Sequence, residues 1–128
     1  MNRPRMWLTL RAWYGLARYD VVNLVAGFRR ISWQLGPQCA TERPPDPGEL
    51  TLLCDAVDLA ACFYFKPVRC LHRSSVIVRL LRKLGINGRL VIGYRRTPFL
   101  AHAWVEVDDR VVGDSSAYQE RLQMLHRI

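Results

Sequence analysis

The chain has 128 residues, a length that suits one domain with a small helical appendage. Half of its residues are hydrophobic, which excludes disorder of the whole chain. The formal net charge of +8 predicts an acidic partner, and charge alone leaves nucleic acid, an anionic membrane surface and an acidic polypeptide open.

The N-terminal stretch shows neither a secretory signal nor a transmembrane segment. Arg11 interrupts its apolar run, no small-residue cleavage site follows, and the charge-free stretch at 21–28 is far shorter than the ~20 residues of a spanning helix. The four cysteines lack the spacing of a zinc site, and without an export signal a disulfide framework is not expected. We therefore expect reduced thiols, no metal, no cofactor and a cytoplasmic location.

Residues 6 to 35 are predicted to form a helix or a helix pair, because apolar residues recur there at steps of three and four. Three interpretations are open: the helix covers the core while its arginines reach water, its face docks a partner protein or peptide, or it lies on a membrane surface. The recurring residues are Trp7, Leu10, Tyr14, Ala17, Val21, Leu24, Val25 and Phe28.

A proline-rich joint separates this segment from the rest of the chain. Residues 36–48 contain four prolines, which exclude a helix and an interior strand. Asp46 and Pro47 then predict the start of a second helix, and Pro67 predicts its end. We expect an N-terminal helical segment with its connection over 1–48, and a core over 49–128. The two cysteines of the second helix, Cys54 and Cys62, are expected to be buried and inert.

The third predicted helix begins at Cys70 and ends before Gly85, a residue that favours a helix C-terminus. Its basic residues are expected to face away from the core. These residues are Arg73, Arg79, Arg82 and Lys83.

Strands are predicted over 89–94, 100–107 and 110–114, and a short helix over 117–125. Helices followed by consecutive strands indicate an α+β fold with a small antiparallel sheet.

Cys70, His102 and Asp114 form a candidate thiol triad. A cysteine in the first turn of a helix meets unpaired N–H groups, which stabilise a thiolate and can donate to a tetrahedral oxyanion. His102 lies in an alternating strand and shares a face with Trp104 and Glu106. A base within reach of the thiol and a carboxylate that orients the base are what a thiol nucleophile needs.

The hairpin between the last two strands decides whether Asp114 can join His102. We predict a three-residue loop of Val107, Asp108 and Asp109, which places His102 directly opposite Asp114. A two-residue turn at Asp108 and Asp109 is expected to point Asp114 away from the imidazole.

From Val68 to about Leu125 the chain resembles a known family. The residues are C-L-x-R-S-x-x-x-x-x-L-L-R-K-L-G-I, then L-V-I-G-Y, P-F-x-A-H-A-W-V-E-V and V-V-G-D. This pattern looks like the leader peptidase of lasso-peptide biosynthesis, in the transglutaminase-like, papain-like superfamily. The resemblance implies that superfamily's fold, with Cys70 as nucleophile, His102 as base and Asp114 as the orienting residue. In that family the hairpin turn often reads Asp-Gly, where this chain has Asp108-Asp109.

The resemblance also implies a substrate and partners. A stand-alone thiol peptidase of this type removes the leader from a ribosomally made precursor, which a separate small recognition protein delivers, before an ATP-dependent macrolactam cyclase acts. The N-terminal helical face is the expected docking site for the recognition protein. Residues expected near the substrate cleft are Arg69, Arg73, Arg95, Arg96 and Trp104.

Two other functions use the same residues differently. A transglutaminase or amidase shares the triad and differs in the acyl acceptor, which fold and triad do not determine. A basic peptide- or nucleic-acid-binding module with a degenerate site is the non-catalytic alternative. All three triad positions are filled and no nucleic-acid motif is present, so a cysteine peptidase is favoured and nucleic acid is not expected as a partner.

Overall fold

The computed structural model describes residues 3–27, 31–37, 46–96, 99–114, 119 and 121–128. This part of the chain forms four helices followed by four strands, as the α+β prediction requires. The elements are α1 (Arg3–Ala26), α2 (Ile31–Leu35), α3 (Pro47–Cys62), α4 (Cys70–Lys83), β1 (Arg89–Arg96), β2 (Phe99–Val107), β3 (Arg110–Val112) and β4 (Gln123–Arg127). Residues 38–45 of the proline-rich joint lie outside the described residues, as do Thr97 and Pro98.

The strands form one antiparallel sheet in the order β3-β2-β1-β4, and helix α4 packs on β2 and β1. Helices α1 and α3 pack on each other and on α4. Leu16, Val57, Ile77 and Val105 bring α1, α3, α4 and β2 into one fully buried cluster. Helix α1 therefore shares the core of the elements that follow it, and the division of the chain at residue 48 stays a prediction.

Local sequence explains where the helices begin and end. Asp46 caps α3 by accepting the N–H of Gly48, and Pro47 occupies the first helical position. Gly27 and Gly85 follow α1 and α4 with φ of 73° and 89°, the left-handed conformation that commonly terminates a helix. The predicted starts of α3 and α4 and the end of α4 are confirmed. None of the described helices is both long and apolar enough to cross a membrane.

Helix α1 does not cover the core with the recurring apolar residues, as one of the three interpretations required. Most of the recurring apolar side chains point to solvent, with Trp7 and Tyr14 each 66% exposed and Leu24 87% exposed. The buried side of α1 carries Ala12 and Gly15 instead, and Gly15 faces Val76 of α4. A Cβ on Gly15 would lie 3.0 Å from Val76 Cγ1, so these small residues allow an approach that the aromatic stripe would block.

Three further predictions are wrong. The tail was expected to be helical through residue 125, but its residues from Gln123 belong to β4, because that segment completes the edge of β1 by backbone pairing. Arg82 does not face away: it is buried and donates to the carbonyls of Gly36, Gly88 and Ile128. Cys62 is exposed at the end of α3, where the helix leaves the core.

Candidate active site

Cys70 is the first residue of α4, and side chains of the next turn fix this end of the helix against the sheet. Ser74 is 1% exposed and donates its hydroxyl to the carbonyl of Ala103 at 3.2 Å. Ala103 follows His102 directly on β2, so this bond connects the turn after Cys70 to the backbone beside the histidine.

A second connection runs from the same turn of α4 to the end of β3. Arg73 donates from Nη2 to the carbonyl of Gly113 at 2.9 Å, and its Nε lies 2.6 Å from Asp58 Oδ1 on α3. Gly113 precedes Asp114, so Arg73 holds the backbone next to the third candidate residue. The turn that follows Cys70 therefore contacts the neighbours of both His102 and Asp114.

His102 and Asp114 form a direct contact, with His102 Nε2 2.7 Å from Asp114 Oδ2. A carboxylate accepts hydrogen bonds, so in the neutral ring Nε2 carries the hydrogen and Nδ1 keeps its lone pair. Both side chains are partly exposed, at 19% and 25%, which leaves the pair open to a ligand from solvent.

The hairpin that joins β2 to β3 is not the predicted one. Val107 pairs with Arg110 and Glu106 with Val111, so the connection is a two-residue turn at Asp108 and Asp109. Both aspartates adopt positive φ, 50° and 63°, as a type I′ turn requires. The prediction of a three-residue loop is therefore wrong.

Gly113 explains why the two-residue turn still lets Asp114 contact His102. Strand β3 ends at Val112, and Gly113 has a φ of +71°, so the chain leaves the strand register before Asp114. A Cβ on Gly113 would lie 2.7 Å from Cys54 Sγ and 3.2 Å from Arg73 Nη2. Only glycine fits this conformation at this distance. The expectation that a tight turn points Asp114 away is wrong, because it assumed a regular strand as far as that residue.

The imidazole of His102 rests on a buried aromatic support. Trp104 stacks on it with ring centroids 6.2 Å apart, and its indole donates to Glu106 Oε2 at 2.9 Å. Glu106 is 3% exposed and is paired with Arg127 of β4 at 2.9 Å. A Cβ on Gly93, the β1 residue opposite His102, would lie 2.6 Å from the Trp104 ring, so glycine is required for this packing.

The N-terminus of α4 lacks the side-chain cap that α3 has. Arg69 occupies the N-cap position in an extended conformation and makes no capping hydrogen bond, and no acidic residue lies in the first turn. The N–H groups beside Cys70 therefore have no side-chain acceptor from the N-cap residue, and an oxyanion is the ligand that such donors favour.

Comparison with known proteins identifies the family. The model of the transglutaminase-like superfamily matches residues 16–127, which include all three candidate residues and every described element from the middle of α1 to β4. The chain belongs to the transglutaminase-like superfamily. The predicted α+β, transglutaminase-like fold is thereby confirmed.

A curated relative carries a more specific name. The chain is 37% identical over 59 residues to the microcin J25-processing protein McjB of Escherichia coli, a match that covers 46% of this chain. The matched segment spans 28% of the length of that relative. This similarity agrees with the resemblance to lasso-peptide leader peptidases. No solved structure matched the chain.

The predicted substrate residues of this transglutaminase-like chain occupy different settings. Arg69 is exposed beside Cys70, whereas the guanidinium of Arg73 is engaged by Asp58 and Gly113. Arg95 and Arg96 end β1 next to the strand that carries His102. Trp104 is only 2% exposed and lies beneath the histidine ring. Their contact with substrate stays a prediction.

A polar cluster beside Cys70 was not foreseen from sequence. His72 is buried, its Nε2 donates to the Leu16 carbonyl at 2.8 Å, and its Nδ1 lies 4.0 Å from Asp20 Oδ1. Burial lowers the pKa of His72 more than its hydrogen bond and the charge of Asp20 raise it. Burial raises the pKa of Asp20, but hydrogen bonds from Lys66 and Tyr64 outweigh that effect, so its pKa lies below the usual value.

The cluster borders a cavity of about 380 Å³ whose lining includes Asn23, Arg69 and Leu71. Arg69 and Leu71 are the chain neighbours of Cys70, so the cavity lies next to the candidate nucleophile. The sequence gives little indication that these residues meet, because Asp20 and His72 are far apart in the chain and share no motif.

Proposed function

We propose that the chain is a cysteine endopeptidase that removes the leader from a ribosomally made lasso-peptide precursor. The observation that carries this proposal is the His102–Asp114 hydrogen bond, together with the two contacts that hold the turn after Cys70 against Ala103 and Gly113, the chain neighbours of that pair. Family membership and the similarity to a microcin-processing protein support the same conclusion. A precursor peptide, a small leader-recognition protein and an ATP-dependent macrolactam cyclase are the proposed partners.

The reaction begins with transfer of the Cys70 thiol proton to Nδ1 of His102, the nitrogen that Asp114 leaves with a lone pair. The thiolate attacks the scissile carbonyl carbon, and the carbonyl electrons move to oxygen to give a tetrahedral oxyanion. The first-turn N–H groups of α4 donate to that oxyanion. On its collapse the C–N bond breaks, the amine leaves with the proton from His102, and a thioester remains on Cys70.

Water completes the cycle. His102 takes a proton from water as the oxygen attacks the thioester carbon, the C–S bond breaks, and Cys70 regains a proton. The leader then ends in a free carboxylate, and the core peptide begins with the new amine. Asp114 holds one tautomer of His102 and stabilises the imidazolium in both halves of the reaction, while Trp104 and Glu106 keep the ring in place.

Mass spectrometry of the cleavage products tests this proposal. The purified chain is incubated with a lasso-peptide precursor and a leader-recognition protein taken from the genes that neighbour its own, and Cys70→Ala is compared with Cys62→Ala, which removes an exposed thiol. We expect the wild type and Cys62→Ala to release a leader with a free carboxyl terminus, and Cys70→Ala to lose at least about a thousandfold in rate. An uncut precursor, or cleavage that survives Cys70→Ala, contradicts the proposal.

The same experiment separates hydrolysis from transfer to an amine. With excess glycine ethyl ester in the reaction, a peptidase still releases the leader as the acid, whereas a transglutaminase-type enzyme releases it as the amide of the added amine. A predominantly amide product at neutral pH rejects the peptidase assignment while keeping the triad.

A further inference from the structure

An apolar groove with a basic rim lies between α1 and the C-terminal half of α4. Its volume is about 240 Å³, and Gly15 gives it depth where the two helices meet. Val76 and Leu80 lie at its base, and Trp7, Leu10 and Tyr14 form its outer apolar wall on α1. Its rim is formed by Arg11, Arg18, Arg79 and Lys83.

The rim concentrates positive charge against an apolar surface. No acidic residue is among the described residues that line the groove. Burial lowers the pKa of Lys83, and the neighbouring charges of Arg79, Arg11 and Arg18 lower it further. Burial and Arg18 lower the pKa of Arg79 in the same way. These cations repel one another in the free chain, and an anionic group placed among them would relieve that repulsion.

The apolar wall that α1 contributes continues along that helix beyond the groove. Its exposed side chains follow the alternating three- and four-residue spacing that forms the seam between two packed helices. From Trp7 to Leu24 this stripe extends for about 26 Å at 1.5 Å per residue, longer than a single inserted side chain requires. An exposed apolar stripe of this length is typical of a surface that binds another protein.

We propose that the α1–α4 groove docks a partner protein through an amphipathic helix, whose apolar seam covers the α1 stripe and whose acidic flank pairs with the rim. Lys83 lies about 20 Å along the α4 axis from Cys70, so this end of the basic rim lies away from the candidate nucleophile. The proposal goes beyond the proposed function and does not depend on it.

Two other occupants fit the groove less well. A second copy of this chain would bring Arg11 and Arg18 close to the same arginines of its partner, and the net charge of +8 adds to the repulsion. A membrane surface would meet the cations and the outer aromatic residues, but Val76 and Leu80 lie below them between the helices, where a flat bilayer does not reach.

Binding of two synthetic helical peptides to the full chain tests the proposal by fluorescence anisotropy. Both peptides carry three heptads with leucine at the seam positions, one with glutamate flanks and the other with lysine flanks. We expect the glutamate peptide to bind at least about tenfold more tightly, with an affinity that falls as salt rises. The double variant Arg11→Glu, Lys83→Glu should weaken that binding about tenfold and favour the lysine peptide instead.

Matched variants keep the test specific. Arg89→Glu with Arg110→Glu makes the same change in net charge at exposed positions on the sheet, and should leave the affinity for the glutamate peptide unchanged. Leu10→Ser should weaken binding of the glutamate peptide without removing any charge. Thermal unfolding should show the groove double variant folded, with a midpoint raised by about 2 °C because repulsion at the rim is relieved. If the Arg11→Glu, Lys83→Glu variant has a higher unfolding midpoint and no longer binds the glutamate peptide, the rim residues serve binding and not stability.

Each of the following results overturns the proposal. The first is that the glutamate peptide fails to bind or binds no better than the lysine peptide. The second is that the glutamate peptide binds the Arg11→Glu, Lys83→Glu variant as tightly as the wild type. A dimer in sedimentation that Leu10→Ser disperses assigns the stripe to a second copy. Binding to phosphatidylglycerol vesicles that the groove double variant abolishes, with no preference between the peptides, assigns the surface to a membrane.

Discussion

The starts of α3 and α4 share a helical geometry and differ in chemistry. Helix α3 begins with a carboxylate cap from Asp46 and has Glu49 as its third residue. Helix α4 begins after Arg69, which offers no cap, and has Cys70 as its first residue and a buried His72 as its third. Helix N-terminal N–H groups are stabilised by anions, so α3 meets this need within the chain while α4 leaves it for a thiolate and a substrate oxyanion.

After loss of the nucleophile itself, the largest expected effect comes from removing the carboxylate that orients the proposed base. Asp114→Asn keeps the shape of the side chain and replaces a carboxylate with an amide, which allows the wrong tautomer of His102 and no longer stabilises its cation. We expect cleavage of the precursor to slow by about a hundredfold or more at neutral pH. Asp109→Asn is the matched control, because that residue lies in the exposed turn at a φ that asparagine tolerates. Equal rates for the two variants would exclude Asp114 from the site.

Adding an N-cap to α4 tests directly whether its uncapped N–H groups matter for the reaction. Arg69→Asp gives α4 the cap that α3 already has, and an aspartate there should compete for the N–H groups and repel a thiolate. We expect the free energy of unfolding to rise by about 1 kcal/mol while the cleavage rate falls about tenfold. Arg69→Ala removes the same positive charge without adding an acceptor. If it slows cleavage as much as Arg69→Asp does, the effect belongs to the arginine and the open N–H groups are not needed.

The pH dependence of stability should depend on the third residue of α4. Burial lowers the pKa of His72 in the folded chain, so the unfolded chain binds a proton more readily. The contribution of the neutral His72 to the free energy of unfolding is complete above the ordinary histidine pKa of about 6.5 and is lost as the pH falls below that value. Denaturant unfolding between pH 7 and pH 5 should show a decrease of at most about 1.4 kcal/mol per pH unit from this group. His72→Gln keeps a donor for Leu16 and should flatten this part of the curve; an unchanged slope would mean that His72 is not the titrating group.

Removing the N-cap of α3 should have the smallest effect on the cleavage rate. Asp46→Ala removes the acceptor of the Gly48 N–H and should cost about 1 kcal/mol of unfolding free energy. Asp55→Ala, on an exposed part of the same helix, serves as the control for loss of a carboxylate. The cleavage rate should be the same in both variants, since α3 supports the core and not the chemistry. A selective loss of rate in Asp46→Ala would show that the two helix starts are coupled.

Much of this fold follows from patterns that act over a few residues. The start of α3 was predicted because Asp46 and Pro47 act on the backbone next to them. The strands β1 and β2 were predicted because their alternation has to match one buried face. The tail was mistaken for a helix because β4 depends on an unpaired edge of β1, which is far away in the chain.

The site was predictable in its residues and not in its geometry. Cys70, His102 and Asp114 stand out by type and setting, but their arrangement depends on Gly113, whose positive φ redirects the chain after β3. That turn is required by the contact with Cys54 and Arg73, which sequence does not reveal. The core-facing side of α1 was misjudged for a similar reason, because Ala12 and Gly15 allow close packing, whereas the larger apolar residues remain exposed.

Alkylation of the cysteines tests the central claim most directly, namely that His102 activates Cys70 at an open helix start. The chain is treated with limiting iodoacetamide near neutral pH, and each cysteine is quantified by peptide mass spectrometry. Burial raises the pKa of Cys54 to about 11, which makes it an unreactive internal reference, and the exposed Cys62 serves as an ordinary thiol. Cys70 should react first, although it is less exposed than Cys62, and His102→Ala should remove that advantage without changing Cys62. Equal rates for Cys70 and Cys62 in the wild type, or a Cys70 rate that His102→Ala leaves unchanged, would contradict the claim.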